Sequence, residues 1–176
     1  PASSVACGRK SRYIEPMEAW SAFLLDDSVL PSRWRAAPRS FAALMGLYES
    51  NYRRLQALVG DLSTLAGERH SHVAGDCELI LRVAERSVFT TDFELTYAFD
   101  AIEDRVESRS TAPDMQVRVY HDARVAEALA WAPQHGHALL RGWRQYVQRG
   151  LDQRWARNVM LNKWLEYCKD RGHSLR

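Results

Sequence analysis

PDMQVRVYHDARVAEALAW, residues 113–131, is the stretch on which the fold turns. Met115, Val117 and Val119 alternate with polar residues, then a polar insert, His121-Asp122-Ala123-Arg124, separates them from Val125, Leu129 and Trp131. Alternation with a period of two lines one face of a strand, and two such runs around a short polar insert predict a hairpin. The second run is ambiguous, because AEALAWA also contains good helix formers.

Working outward, the same alternation recurs. Cys77, Leu79, Leu81 and Val83 predict one strand; Phe93, Leu95, Tyr97 and Phe99, with Asp92, Glu94 and Thr96 facing the other way, predict another. Residues 61–76 read as a loop, and 100–114, polar and containing Pro113, as a connection. Short connections favour an antiparallel meander over parallel crossovers. Ser40 then reads as the N-cap of a helix carrying Phe41, Leu44, Met45, Tyr48, Tyr52, Leu55 and Val59, stopped by Gly60. Asp152 caps a second helix, with the stripe Leu161, Trp164, Leu165 and Cys168, ending at Gly172. Between them, 139–147 reads equally as a short helix or a fifth strand. The expected class is α+β: a β-meander of about four strands packed with an N-terminal and a C-terminal amphipathic helix. The expected core includes Phe41, Leu44, Tyr48, Leu55, Val117, Val119, Leu161 and Trp164. Residues 1–39, with Pro16, Pro31, Pro38 and one short amphipathic stretch, read as a partly irregular arm, and 40–176 as one domain.

Composition narrows the function classes. With 176 residues and 46% hydrophobic side chains, the chain is long enough for a substantial core. No run approaches the roughly 18 apolar residues of a membrane span, so no membrane partner is expected. Val5-Ala6-Cys7-Gly8 faintly matches a lipoprotein cleavage box, but no hydrophobic run precedes it, and that reading is rejected. Cys7, Cys77 and Cys168 are too widely spaced for a disulfide framework or a zinc ribbon; Cys77 and Cys168 read as buried thiols in a reducing compartment. Charge is uneven. Residues 70–134 hold 12 acids and 6 bases, whereas 135–176 hold 9 bases and 3 acids. The two regions either complement each other or leave a basic footprint for an anionic partner.

Three separated segments, LMGLYESNYRRL (44–55), VRVYHDARVAE (117–127) and RWARNVMLNKWLEYCKDRGH (154–173), arrive in an order that resembles the YqiB-like family of small bacterial proteins, a domain of unknown function. The resemblance covers about residues 40–173. It implies a bacterial, cytoplasmic protein and a lean toward nucleotide-related roles, and it supplies no catalytic residues.

Candidate chemistry lies in four places. His121-Asp122 is similar to the dyad of metal-dependent phosphohydrolases, but that chemistry needs further histidines, and Asp between strands more often closes a turn. Two His-x-His pairs, His70/His72 and His135/His137, would each point to one side of an extended backbone; read as loop residues without a carboxylate or cysteine, they are expected to be solvent-exposed and to hold no metal. Asp100, Glu103, Asp104 and Glu107 read as a solvated acidic loop. Arg141, Arg144, Arg149, Arg154 and Arg157, interleaved with Trp143, Tyr146 and Trp155, could grip phosphate and stack on bases. Exposed arginines and core tryptophans would print the same letters. No GxSxG, GxGxxG or Walker loop occurs.

The leading expectation is a non-catalytic binding or adaptor domain taking a phosphorylated, nucleotide or nucleic-acid ligand. Its expected ligand-binding residues are Arg124, Arg144, Arg154, Arg157, Trp143 and Trp155, and no cofactor is expected. The alternatives are a small hydrolase or transferase using His121 and Asp122, and a protein-interaction module or homodimer.

Overall fold

A computed structural model of the chain describes residues 40–99, 110–131 and 150–176. The Ser40 Oγ accepts the Ala43 N–H at 3.2 Å and starts helix α1, Phe41–Val59. Gly60, at φ 89°, takes the left-handed conformation that ends it and donates its N–H to the Gln56 carbonyl. A one-turn 3₁₀ helix, Leu62–Thr64, follows. Strands β1 (Glu68–Ser71), β2 (Glu78–Arg86), β3 (Thr90–Phe99), β4 (Ser110–Tyr120) and β5 (Val125–Trp131) then run up and down, and helix α2 (Gly150–Arg171) closes the described chain. The sheet order is β1-β2-β3-β4-β5, with every pairing antiparallel. The class is therefore the expected α+β meander, with five strands rather than about four.

The additional strand is β1, inside the segment read as a loop. ERHS shows no apolar alternation because the residues on its inner side, Arg69 and Ser71, bind the C-terminal segment instead of packing in oil. The Arg69 guanidinium donates to the Leu175 carbonyl at 2.9 Å, and the Ser71 hydroxyl accepts the Ser174 N–H at 3.0 Å. Strand β4 likewise begins inside the expected connection. Pro113 is tolerated there because the register breaks: Leu95 pairs with Met115 but Tyr97 with Ala112, a bulge that needs no ladder N–H from proline.

The ambiguous run after the insert is a strand, one residue out of the expected phase. Leu129 is the extra residue of a second bulge, since Val117 pairs with Ala128 and Gln116 with Ala130. Ala126 and Ala128, both fully buried, therefore face inward. Their small side chains let both helices approach the strand closely.

Both helices cover one face of the sheet. Leu161, Trp164, Leu165 and Cys168 of α2 meet Leu79, Leu81, Phe93, Leu95, Met115 and Val117 from the strands. The stripe expected on α2 is thus the buried one. On α1 the buried residues include Leu44, Leu47, Tyr48, Asn51, Leu55 and Leu58. Phe41, expected in the core, is 73% exposed. As the first helical residue it points back off the end of the helix, beyond what the stripe can cover. Cys77 and Cys168 are both buried, as expected. Burial pushes the Cys168 thiol up to about 12, so it behaves as a small hydrophobe. The expected arm, the 139–147 element, Cys7 and the acidic 100–107 cluster lie outside the described residues.

The opposite face of the sheet is charge-paired. Asp92 takes a bidentate grip from Arg118 at 2.7 and 2.6 Å, and Arg82 stands between Glu68 and Glu94. From the basic tail, Arg171 holds Asp76 at 2.9 Å.

Candidate functional site

Where α1, α2 and β5 meet, a polar cluster lies within otherwise apolar packing. Asn158 of α2 accepts the Ala128 N–H at 2.9 Å and the Asn51 amide at 3.1 Å, and donates to the Arg154 carbonyl at 2.8 Å. Asn162 donates to Asn51 Oδ1 and to Ser50, each at 2.9 Å. Arg157 Nε donates to the Ala128 carbonyl at 3.3 Å. Through Asn158 and Arg157, α2 serves both backbone groups of Ala128 on a strand that has no described neighbour beyond it. Sequence reasoning missed the three asparagines; the only available signal was Asn51, Asn158 and Asn162 falling at helical spacing inside apolar stripes.

Above this network stands Tyr48, 5% exposed, whose hydroxyl is enclosed beside the Glu127 carboxylate. Burial first, then the hydrogen bond toward Glu127 and that residue's charge, raise the Tyr48 pKa against the pull of Arg154 and Arg157. Arg157 is half-buried, and its own pKa is lowered, mainly by that desolvation, with like-charged Arg154 adding to the effect. Two cations, a carboxylate and an enclosed hydroxyl thus converge here. Of the expected ligand residues, Arg154 is exposed and Arg157 belongs to this cluster. Trp155 does not offer a stacking face. It is only 9% exposed and packs among Ala43, Leu44, Leu47, Tyr48 and Val159, because its position on α2 points toward α1. Arg144 and Trp143 lie outside the described residues, as do His135 and His137.

The insert of the β4–β5 hairpin uses its polar residues locally. Asp122 Oδ1 accepts the Ala123 N–H at 2.8 Å, the turn-closing bond expected of aspartate. Arg124 is exposed and left-handed, at φ 53°. His121 Nε2 pairs with the Thr91 hydroxyl at 2.9 Å, and its Nδ1 is enclosed without a partner. Asp122 spends its bond on the backbone rather than on His121. The hydrolase alternative therefore lacks the acid that would orient its base.

A serine, a histidine and a carboxylate do meet elsewhere. His173 Nδ1 lies 3.1 Å from the Ser71 hydroxyl, and its Nε2 lies 3.5 Å from Asp76. The order is that of a nucleophilic triad, yet Ser71 and His173 are each 6% exposed and Ser71 already accepts the Ser174 N–H. The group clasps the C-terminal segment to β1. Burial alone would raise the Asp76 pKa; His173, the Cys77 N–H and Arg171 outweigh it and hold the carboxyl below its ordinary value. A depressed carboxyl stabilises the fold above its unfolded pKa, about 4, and that stabilisation is lost as pH falls through the lower folded value. Asp76→Asn is thus expected to cost about 1.5–3 kcal/mol at pH 7, in a gap from wild type that narrows below about pH 4. Denaturant titrations at pH 7 and pH 3 check this, and an equal gap at both would refute it.

The remaining histidine pair departs from expectation. His70 lies in β1 and His72 just beyond it, and β2 brings Glu78 between them, 2.6 Å from His70 Nδ1 and 3.1 Å from His72 Nε2. The pair is exposed, as expected, but His70 belongs to a strand rather than a loop, and the carboxylate between the two imidazoles comes from a β1–β2 pairing not visible in the sequence.

A family model described as "Protein of unknown function (DUF1249)" matches residues 54–174. The chain belongs to this family. The matched span opens within α1 and includes every described strand, α2 and the Asp76–His173–Ser71 clasp. "Uncharacterized protein YqiB" of Escherichia coli strain K12 is 29% identical over 135 residues, covering 75% of this chain and 90% of that relative. The YqiB proteins of E. coli O6:H1 and O157:H7 match to the same extent. The resemblance stated from the three segments therefore holds at the level of the family. No solved structure gives a significant match. No helix among the described residues is long and apolar enough to cross a membrane.

Proposed function

We propose that this chain is a non-catalytic binding domain for a phosphorylated, nucleotide-like ligand, held where α1, α2 and β5 meet. The observation that carries the reading is the convergence of the Arg154 and Arg157 guanidiniums beside the enclosed Tyr48 hydroxyl. Two like charges, one of them half-buried, repel. A phosphate would relieve that repulsion by taking guanidinium donors in their fork geometry. Glu127 supplies an acceptor for a ligand hydroxyl or amino group, which a sugar or base carries. Arg124 precedes Val125, which packs against the Trp155 cluster, so it belongs to the rim of the same corner. The burial of Trp155 moves the reading away from extended base stacking and toward a small ligand.

The test is a nucleotide panel titrated against wild type, Arg154→Glu, Arg157→Gln and Tyr48→Phe. Wild type should bind at least one member with an affinity that weakens with salt. Each arginine variant should lose about tenfold or more, as expected when a charge-assisted bond worth more than about 1.4 kcal/mol is removed. Tyr48→Phe should weaken binding by less than either arginine variant, since it removes one neutral donor and leaves both cations in place. Absence of binding to the whole panel, with no retention on heparin at low salt, would discard the reading.

A protein-interaction role is the second reading. It is favoured by Val88 and Phe89, 82% and 63% exposed at the β2–β3 hairpin, where the Phe89 carbonyl accepts the His121 N–H.

A further inference from the structure

The outer edge of the sheet carries a second constellation, remote from the first because β1 and β5 are the two ends of the strand order. His70 and His72 point to the same side of the chain, two residues apart. The ladder pairs Ser71 with Leu79, so continuing it by one residue sets Glu78 opposite His72 and diagonal to His70. The imidazole rings lie nearly parallel, 13° apart with centroids separated by 6.4 Å. One donor atom from each of the three residues falls within 4.8 Å of the others. From this geometry we infer that His70, His72 and Glu78 form a binding site for a borderline divalent transition metal, with zinc as its probe.

Three features support a metal over a chance surface contact. First, the donor set is chemically right: two imidazoles and one carboxylate suit zinc and its neighbours, and three protein ligands leave a position for water or a donor from another molecule. Second, the spacing is right. Bonds of about 2.0–2.1 Å at tetrahedral or octahedral angles put neighbouring ligand atoms roughly 3 Å apart, and the two Glu78 contacts measure 2.6 and 3.1 Å. Third, His70 is already oriented. Its other nitrogen, Nε2, lies 3.0 Å from Glu68 Oε1. This is the carboxylate–histidine arrangement that fixes a ligating tautomer, with Nε2–H donating outward and Nδ1 left to the metal. Glu68 is itself held by Arg82 at 3.1 Å.

The His72 side chain is 73% exposed and that of His70 39%, so the core does not rest on them and their variants should melt close to wild type. The experiment is a zinc titration of the full chain by calorimetry, and by competition with a chromophoric chelator, in a buffer that does not bind zinc. The comparison set is wild type, His70→Ala, Glu78→Gln, Glu68→Gln and the His135→Ala/His137→Ala pair. One zinc per chain should bind wild type and the His135/His137 variant alike. Affinity should fall by at least tenfold in His70→Ala and Glu78→Gln. Glu68→Gln, which leaves all three ligands in place, should lose about 10-fold, the usual effect of removing an orienting partner. Cobalt substitution should give a visible d–d band that His70→Ala lacks. Wild-type zinc affinity in His70→Ala and Glu78→Gln would overturn the inference, as would no zinc bound by wild type or a loss confined to the His135/His137 variant.

Discussion

Replacing Trp164 by alanine is expected to remove about 3–5 kcal/mol of stability, the usual cost of truncating a fully buried tryptophan. Trp164 heads the fully buried side chains in size, and its ring meets Tyr97 edge-on, with centroids 5.5 Å apart. It stands where α2 crosses the middle strands, so the cavity would open between layers that cannot easily collapse onto each other. Small domains have about 5–15 kcal/mol in all; the variant should therefore show a greatly lowered denaturant midpoint or fail to fold. Phe41→Ala is the matched control. With its side chain 73% exposed, it should shift stability by no more than about 0.5 kcal/mol. A Trp164→Ala midpoint close to wild type, or a Phe41→Ala loss as large, would show that the core has been assigned to the wrong residues.

Asn158→Ala should cost about 2–4 kcal/mol, although it removes hardly any apolar surface. The Ala128 N–H at the sheet edge has Asn158 Oδ1 as its acceptor, and the Asn51 amide has the same oxygen as its shortest contact. Truncation strands the Ala128 N–H where water is excluded, at about 1–3 kcal/mol for a group left unsatisfied, and leaves the Asn51 amide only its longer contacts to the Ala126 and Asn158 carbonyls, at 3.4 and 3.5 Å. Amide exchange separates this mechanism from general loosening. The Ala128 amide should exchange much faster in the variant, out of proportion to the amides of β2 and β3. Full protection at Ala128 would mean that another group serves it, and the account of the α2–β5 contact would be wrong.

The residues that were legible in advance share one property: their role follows from side-chain type and spacing alone. Leu161, Trp164, Leu165 and Cys168 are apolar at helical spacing and are buried; Met115, Val117 and Val119 alternate and face the core. Residues whose role depends on a distant partner were misread or missed. Phe41 has the right spacing but is 73% exposed among the described residues. Trp155 sits in an arginine-rich run, as a base-stacking residue would, yet points into α1. Asn51 and Asn158 are polar letters inside buried stripes, correct only because each satisfies the other and the edge of β5.

The same division runs through the candidate sites. Sequence alone determined the α+β class, the antiparallel order implied by short connections, the Ser40 and Gly60 helix stops, and the family. All of these rest on local propensity, periodicity and matched segments. Only the tertiary structure decided that ERHS is a strand, because its inward Arg69 and Ser71 are satisfied by residues some hundred positions later in the chain. Only it decided that VAEALAW, residues 125–131, is extended, because pairing with β4 and the approach of α2 outweigh its helix formers. And only it brought Glu78 between His70 and His72, and set Tyr48 beside Arg154 and Arg157. Convergence of side chains from different elements is a product of register and packing, which no single segment encodes.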